Sequence, residues 1–284
     1  MGNGSSTILA ARGVVPGPAY AQAQITEAVA DFIGAPDGPR RRMLDQVHAN
    51  AGVRTRHLAL PLERYAALEG FTDANDAFIE AAVELGCAAV QEVLDARGLG
   101  VRDVDLIVAA TVTGLAVPSL DARMVARLGM RPDVRRVPLV GLGCVAGAAG
   151  VARVHDYLLG HPDGVAVLVA TELCSLTVQR GDSSAANMVA SGLFGDGAAA
   201  VLMAGAERAS SLTAPGTAPL VLDTRSRFYE GTERAMGWDV GATGLRIVLG
   251  VEVPELVRTH LRDDVDGFLR SEERPCRERV FKLV

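Results

Sequence analysis

Aromatic residues are scarce in this chain, at 4% of 284 residues, and tryptophan occurs once. No apolar run is long enough to span a bilayer, so the sequence does not predict a membrane protein. The net charge is −6, and the charges are spread along the chain without a polybasic segment. Nucleic acid and anionic membranes are therefore not expected as partners.

Cysteine is also sparse, with four residues that show no paired short spacing: Cys87, Cys144, Cys174 and Cys276. This pattern excludes a disulfide framework and a zinc-binding motif, and we expect no metal site. The first residues lack a basic start followed by an apolar core, so no signal peptide is predicted. Reduced thiols and the missing signal together predict a cytoplasmic protein.

Apolar strands alternate with amphipathic helices through most of the chain. Residues 106–110 and 165–170 are continuous apolar runs, as in strands covered on both faces, and residues 71–97 carry apolar side chains at helical spacing. The hydrophobic content of 49% is enough for a substantial core. The sequence predicts an α/β fold.

A stretch rich in Ala, Ser, Thr and Pro, residues 205–219, is the best candidate for a boundary. We predict one half over residues 1–210, which contains the candidate nucleophile, and the start of a second half over residues 211–269. Residues 270–284 form a tail of much higher charge density, which suggests either a polar terminus or a shift of reading frame.

The chemistry is concentrated in residues 136–150, where an apolar strand leads to Cys144 between glycines and then to a small-residue helix. Gly141 and Gly143 permit a tight turn, and the start of a helix favours the thiolate form of a cysteine. Two interpretations are open from these residues alone. Cys144 is either an activated nucleophile or a small buried residue that fills the core.

Cys144 belongs to the first of four motifs that occur in a specific order: residues 143–147 (Gly-Cys-Val-Ala-Gly), 171–174 (Thr-Glu-Leu-Cys), 193–199 (Leu-Phe-Gly-Asp-Gly-Ala-Ala) and 237–241 (Gly-Trp-Asp-Val-Gly). Together they resemble the type III polyketide synthases, the chalcone and stilbene synthase family, especially its bacterial members. The resemblance covers residue 7 to about residue 269. It implies a thiolase-like fold with α-β-α-β-α layers, here with an incomplete second half, and a homodimer.

The resemblance also implies a reaction. Cys144 would accept an acyl group from an acyl-CoA, and malonyl-CoA would be decarboxylated to an enolate that attacks the cysteine thioester. The CoA thioesters are substrates, and no cofactor is expected. The chain would then be an acyltransferase of polyketide biosynthesis.

Other site residues follow from matching positions. Phe194 corresponds to one gatekeeping phenylalanine, whereas Ile247 stands at the position of the second. The substrate cavity would be lined by Val112, Thr113, Cys174, Phe194, Trp238 and Ile247. Arg42, with Arg54 as a helper, would bind the phosphates of CoA, and Val117 would point towards the dimer partner. Asp196 is predicted to anchor a turn rather than to take part in the reaction.

The sequence departs from the family pattern near its end. The family's catalytic histidine lies in a His-Pro-Gly-Gly context, and an asparagine follows it; neither motif is present after His260. His155 and His161 are expected on the surface rather than as replacements. These departures predict a C-terminally truncated member whose condensation activity is impaired.

Two alternatives remain open from the sequence. The chain could be a non-catalytic relative, either a truncated product or a subunit that pairs with an intact synthase. Among enzymes, an initiating ketoacyl-acyl carrier protein synthase would share the fold and the cysteine.

Overall fold

The structure is a computed structural model that describes residues 4–17, 19–214 and 216–271. Within these ranges the strands are β1 (Ser6–Val14), β2 (Ala19–Ala21), β3 (Thr55–His57), β4 (Leu106–Thr111), β5 (Arg135–Val140), β6 (Val165–Leu173), β7 (Asp196–Gly205), β8 (Leu220–Val221), β9 (Met236–Gly241) and β10 (Gly244–Leu249). The α-helices are α1 (Gln22–Phe32), α2 (Gly38–Asn50), α3 (Phe71–Asp95), α4 (Leu120–Leu128), α5 (Ala146–Leu159), α6 (Ala185–Leu193), α7 (Ala206–Leu212) and α8 (Val253–Ser271). Cys276 and most of the predicted tail lie outside the described residues.

A six-stranded sheet in the order β5-β4-β6-β7-β1-β8 forms the centre of the molecule. The strands β5, β4 and β6 are parallel, whereas β7, β1 and β8 pair antiparallel with their neighbours. Every residue of β4 is buried, as its uninterrupted apolar sequence predicts. The sheet is therefore mixed, and β5 lies at one edge of it.

Helices cover both faces of this sheet. The long helix α3 packs against β6, β7 and β1 on one face, and α5 packs against β4 and β6 on the other. Alternate residues of β4 belong to separate core clusters, Ile107 to the first and Val108 to the second. Gly150 permits the close approach of α5, because a Cβ there would lie 2.5 Å from Leu168 Cδ1.

The segment after residue 210 contributes to two sheets. β8 pairs with β1 at Ser6 and Thr7, so it extends the central sheet. β9 and β10 form a separate antiparallel hairpin, which α8 follows. Of residues 220–228, only Leu220 and Val221 pair as a strand. The division at residue 210 remains a prediction.

None of the helices in the described part of the chain combines the length and the apolar character that crossing a membrane requires.

Candidate active site

Cys144 lies in the turn between β5 and α5. Gly141 and Gly143 have φ of +87° and +58°, which side chains with a Cβ rarely adopt, and a short 3₁₀ helix over Gly143–Val145 leads directly into α5. The strand-to-helix turn predicted from the glycines is confirmed. The thiol is exposed rather than packed in the core, so the interpretation of Cys144 as a buried filler is wrong.

Cys174 stands in a different environment, at the carboxyl end of β6, where a 3₁₀ helix over Cys174–Thr177 begins. Burial raises the pKa of this thiol to about 12, and the negative charges of Asp196, Glu172 and Cys144 raise it further. Cys174 is therefore a protonated thiol near neutral pH. It also lies close enough to Cys144 for the two sulfur atoms to interact electrostatically.

Glu172 fixes the end of the neighbouring strand β4. Its carboxylate accepts hydrogen bonds from the backbone N–H of Val112 at 3.0 Å, from the N–H of Thr113 at 3.1 Å and from Thr113 Oγ1 at 2.6 Å. Burial raises the pKa of Glu172, and these hydrogen bonds oppose the rise. Val112 and Thr113 are thus held at the carboxyl end of β6, where Thr113 Oγ1 also accepts from the N–H of Leu173 at 2.9 Å. Glu172 belongs to the Thr-Glu-Leu-Cys motif, but nothing in the sequence showed which groups its carboxylate would bind.

Phe194 caps the carboxyl end of α6 and is held by a residue that the sequence did not single out. The buried guanidinium of Arg56 donates hydrogen bonds to the carbonyl oxygens of Gly192 and Phe194. Burial lowers the pKa of Arg56, although the carboxylate of Asp196 opposes the effect. No local pattern could identify Arg56, because its partners lie more than 130 residues away in the chain.

Asp196 joins three segments around the site. It accepts hydrogen bonds from the backbone N–H of Ser175 at 2.8 Å and of Ala59 at 2.6 Å, and from Ser175 Oγ at 2.5 Å. Its predicted role as an anchor through backbone hydrogen bonds is confirmed. Burial raises the pKa of this carboxyl group.

A cavity of about 320 Å³ lies beside Cys174 and Phe194. Of the six residues predicted to line the substrate cavity, these two line this one, whereas Val112, Thr113, Trp238 and Ile247 do not. Most of its wall comes instead from α1, from the 3₁₀ helix Leu62–Ala67 and from α6. The sequence did not indicate that α1 contributes to a cavity.

Trp238 and Ile247 are directly opposite each other in the β9–β10 hairpin, so their side chains share one face. Both are partly buried. The hairpin is connected to the site region through Gln179, whose Nε2 donates to the carbonyl of Leu245 at 3.4 Å. The spacing of these two residues in the sequence did not predict that they are neighbours.

The two arginines assigned to CoA binding are exposed. Arg54 lines an open groove between α1 and α2, together with Glu27, Arg41 and Asp45, and Arg42 does not line it. Arg41 is paired with both Glu27 and Asp45. The CoA-binding role of Arg42 and Arg54 remains a prediction.

Each of the five histidines of the sequence has a partner other than Cys144. His48 bonds to Thr26 and Ser191, and His57 to backbone carbonyls. His161 and His260 stack on Tyr157 and Tyr229, respectively.

His155 was expected on the surface, and this was wrong. It is 3% exposed, and its Nδ1 lies 2.9 Å from Ser6 Oγ, because α5 packs onto the sheet next to β1.

Comparison with known proteins adds to this geometry. The family model described as "FAE1/Type III polyketide synthase-like protein" matches residues 41–216. A 1,3,6,8-tetrahydroxynaphthalene synthase of Streptomyces peucetius subsp. caesius is 50% identical over 94% of this chain, which spans 69% of that relative. A putative chalcone synthase of Bacillus subtilis is 32% identical over 78% of this chain, which spans 62% of that relative.

Among solved structures, 1,3,6,8-tetrahydroxynaphthalene synthase from Streptomyces coelicolor A3(2) superimposes with a TM-score of 0.80 at 28% sequence identity. The match covers 97% of this chain and 76% of that structure. The layered, thiolase-like α/β fold predicted from the sequence is thereby confirmed.

Proposed function

This chain belongs to the type III polyketide synthase-like family, and on that premise we propose that Cys144 accepts acyl groups from CoA thioesters for polyketide synthesis. The observation that carries the proposal is the position of Cys144. Its thiol is exposed in the turn that starts α5, while the neighbouring Cys174 is a buried thiol of raised pKa. One cysteine of the pair is therefore accessible to a thioester.

In the loading step, the Cys144 thiolate attacks the carbonyl carbon of the acyl-CoA. A new carbon–sulfur bond forms to Cys144, the bond to the CoA sulfur breaks, and CoA leaves as a thiolate that takes a proton from solvent. The unpaired backbone N–H groups at the start of α5 favour the negative charge on the nucleophile. The extender unit would be malonyl-CoA, whose decarboxylation supplies the carbon nucleophile for chain growth.

We further propose that a polypeptide of these 284 residues loads acyl groups but condenses them slowly. Condensation needs hydrogen-bond donors to the thioester carbonyl. The sequence has no His-Pro-Gly-Gly motif, and the structure gives no hydrogen bond between Cys144 and any of the five histidines, whose contacts are all elsewhere. Loading exchanges one thioester for another, so it needs neither decarboxylation nor a carbon nucleophile.

The test is intact-protein mass spectrometry after incubation with acyl-CoA. We expect one acyl adduct on Cys144, none on the Cys144→Ala variant, and an unchanged adduct on Cys174→Ala, which is the matched control. No adduct on the unmodified chain would overturn the acyltransferase proposal and favour a non-catalytic relative. Normal turnover of radiolabelled malonyl-CoA would contradict the proposed slow condensation.

We also propose that the protein forms a homodimer in the cytoplasm. The support for the dimer is Val117, which lies in the loop before α4 with 95% of its surface exposed. This is the position that the resemblance assigns to the dimer contact, and a partner subunit would cover the exposed apolar side chain. The support for the compartment is that the three cysteines of the described residues are unpaired.

A further inference from the structure

The short connection between α6 and β7 is held on both sides of Phe194. On one side, the guanidinium of Arg56 donates to the carbonyl oxygens of Gly192 and Phe194. On the other side, the carboxylate of Asp196 accepts from the N–H of Ser175 at 2.8 Å. Carbonyls in the last turn of a helix have no N–H partners within the helix, so a cation there satisfies and stabilises them. The backbone of Phe194 is therefore fixed by groups that lie outside α6.

Arg56 is buried without an ion pair. Its exposed fraction is 6%, and its Nε has no hydrogen-bond partner among the described residues. Burial lowers the pKa of Arg56, which shows that its surroundings disfavour the charge. Burying a charge without an ion-pair partner destabilises a fold, so packing alone does not account for an arginine at this position. The hydrogen bonds to the two carbonyls are what the side chain provides.

The two carbonyls that Arg56 binds differ in their other contacts. Gly192 is also held by α1 and α2: Gln22 Nε2 donates to its carbonyl at 3.4 Å, and a Cβ at Gly192 would lie 2.7 Å from Cδ2 of His48. For the carbonyl of Phe194, Arg56 is the hydrogen-bond partner that the structure gives. Loss of Arg56 therefore releases Phe194, while Gly192 stays packed.

Phe194 and Arg56 both line the cavity that has Cys174 in its wall. Cys174 in turn lies within electrostatic range of Cys144. An aromatic side chain in a closely packed wall limits the size of the group that fits beside it. The position of Phe194 thus affects which groups fit next to the two cysteines.

We propose that Arg56 is a positioning residue for acyl loading: it holds the backbone of Phe194, keeps the phenyl ring in the cavity wall and so limits the size of the acyl group that Cys144 accepts. Arg56 acts through Phe194 and does not contact the reacting atoms. This inference rests on the proposed function of Cys144 and adds a residue that determines the size of its substrates.

The test compares the rates at which benzoyl-CoA and acetyl-CoA acylate Cys144, measured by intact-protein mass spectrometry. Arg56→Met removes both hydrogen bonds and is expected to raise the benzoyl-to-acetyl ratio about tenfold, as when an apolar pocket gains room for one methylene. Arg56→Lys keeps the charge but lacks the planar fork that reaches two carbonyls, so a smaller rise is expected. The lysine variant decides the test if Arg56→Met does not fold.

Arg97→Met is the matched control. Arg97 also donates from its guanidinium to a backbone carbonyl, that of Leu9 at 2.7 Å, but it does not line the cavity. This variant is expected to lower the free energy of unfolding and to leave the ratio unchanged. In a Phe194→Ala background, Arg56→Met is expected to change the ratio less than about twofold, since the side chain through which Arg56 acts is gone.

Three results would overturn the inference. The first is a ratio that stays unchanged in both Arg56 variants. The second is an equal rise in Arg97→Met, which would assign the effect to general destabilisation. The third is a full rise in the Phe194→Ala background, which would show that Arg56 does not act through Phe194.

A second measurement does not depend on acyl transfer and decides the role of Arg56 if the unmodified chain forms no adduct. In a Cys144→Ser, Cys276→Ser background, Arg56→Lys is expected to speed the alkylation of Cys174 by iodoacetamide, because Phe194 leaves the wall that it shares with Cys174. Lysine keeps the positive charge that lowers the pKa of Cys174, so the rate reports accessibility. An unchanged rate would contradict the positioning role, whereas a faster rate without any adduct would remove only the proposed acyl transfer.

Discussion

At the scale of single residues, the site separates two cysteines by their surroundings. Cys144 is exposed at a turn, whereas Cys174 and Cys87 are held in environments that raise their pKa, mainly through burial. The thiolate is the reactive form of cysteine. The surroundings of each cysteine in this fold therefore decide whether its thiol is exposed or is kept protonated by burial.

We predict that iodoacetamide near neutral pH alkylates Cys144 at least about a hundredfold faster than Cys174, since a tenfold loss of thiolate accompanies each unit of raised pKa. Peptide mapping of the Cys276→Ser variant measures both rates.

The start of α5 also predicts that Cys144 reacts faster than a cysteine of an unfolded peptide of the same sequence. Equal rates for Cys144 and that peptide would contradict the activation of this thiol.

His48 is a second residue whose surroundings change its chemistry. It is 2% exposed, and its Nδ1 and Nε2 lie 2.9 Å from Thr26 Oγ1 and 3.2 Å from Ser191 Oγ. Burial, followed by the charge of Arg56, lowers its pKa to about 4. The neutral imidazole thus joins α1, α2 and α6 near the cavity.

We predict that His48 makes the fold sensitive to acid. The unfolded residue titrates near 6.5 and the folded one near 4, so between these values the unfolded chain binds the extra proton. The contribution of His48 to stability is complete above pH 6.5, the pKa of the unfolded residue, and decreases as the pH falls from 6.5 to about 4. Lowering the pH from 7 to 5 should cost about 2 kcal/mol through His48 alone.

Urea unfolding at both pH values measures this loss, and His48→Gln should reduce the pH dependence by that amount. Gln46→Ala, an exposed change on α2 that removes no titratable group, is the control and should leave the pH dependence as it is. An unchanged pH dependence in His48→Gln would contradict the prediction, because it would show that the pKa of His48 is the same in the folded and unfolded chain.

At the scale of elements, Asp105 connects the amino ends of the three parallel strands. The backbone N–H of Asp105 donates to the carbonyl of Val165, and its carbonyl accepts from the N–H of Arg135. The carboxylate Oδ2 of Asp105 accepts from the N–H of Val165 at 2.9 Å. Its Oδ1 lies 2.8 Å from the guanidinium of Arg131. The register of β4, β5 and β6 places Cys144 and Cys174 at the opposite, carboxyl ends of the strands.

Replacing Asp105 with Ala should lower the free energy of unfolding by about 1–3 kcal/mol, because the buried N–H of Val165 loses its acceptor. The matched control is Asp133→Ala, which removes the other, more exposed partner of Arg131 and should have a clearly smaller effect. Denaturant unfolding of the three proteins measures the difference. If both variants lost the same free energy of unfolding, the loss would come from the ion pairs of Arg131 and not from the hydrogen bond at the strand ends.

At the scale of the whole molecule, apolar side chains remain exposed around Cys144, the proposed nucleophile. Val140, Leu142 and Val145 flank Cys144, and each is more than 40% exposed. The outer edge of β5 has no strand partner among the described residues. Such a surface favours association.

We predict that Val117→Asp shifts the protein from dimer to monomer in sedimentation velocity, since a carboxylate buried in an apolar interface is costly. Val251→Asp is the control, because Val251 is equally exposed, at 97% against 95% for Val117, but lies before α8. A monomeric unmodified protein, or a dimer that persists in Val117→Asp, would overturn the proposed role of Val117.

The sequence by itself determined the type and order of most elements, because apolar runs and helical spacing are local properties of the chain. It also determined the turn at Cys144 through two glycines, and the position of the family motifs. It could not predict Arg56 or Glu172 as site residues, since their partners are distant in sequence. The pairing of Trp238 with Ile247 likewise depends on the register of a hairpin.

Tertiary structure alone decided which side chains are buried and which surround a cavity. It placed His155 in the core, left Cys144 exposed, and brought α1 against Cys174 and Phe194. These outcomes depend on how helices pack onto the two faces of the sheet. Residue spacing determines which face of a helix is apolar, but the packing partner determines what that face encloses.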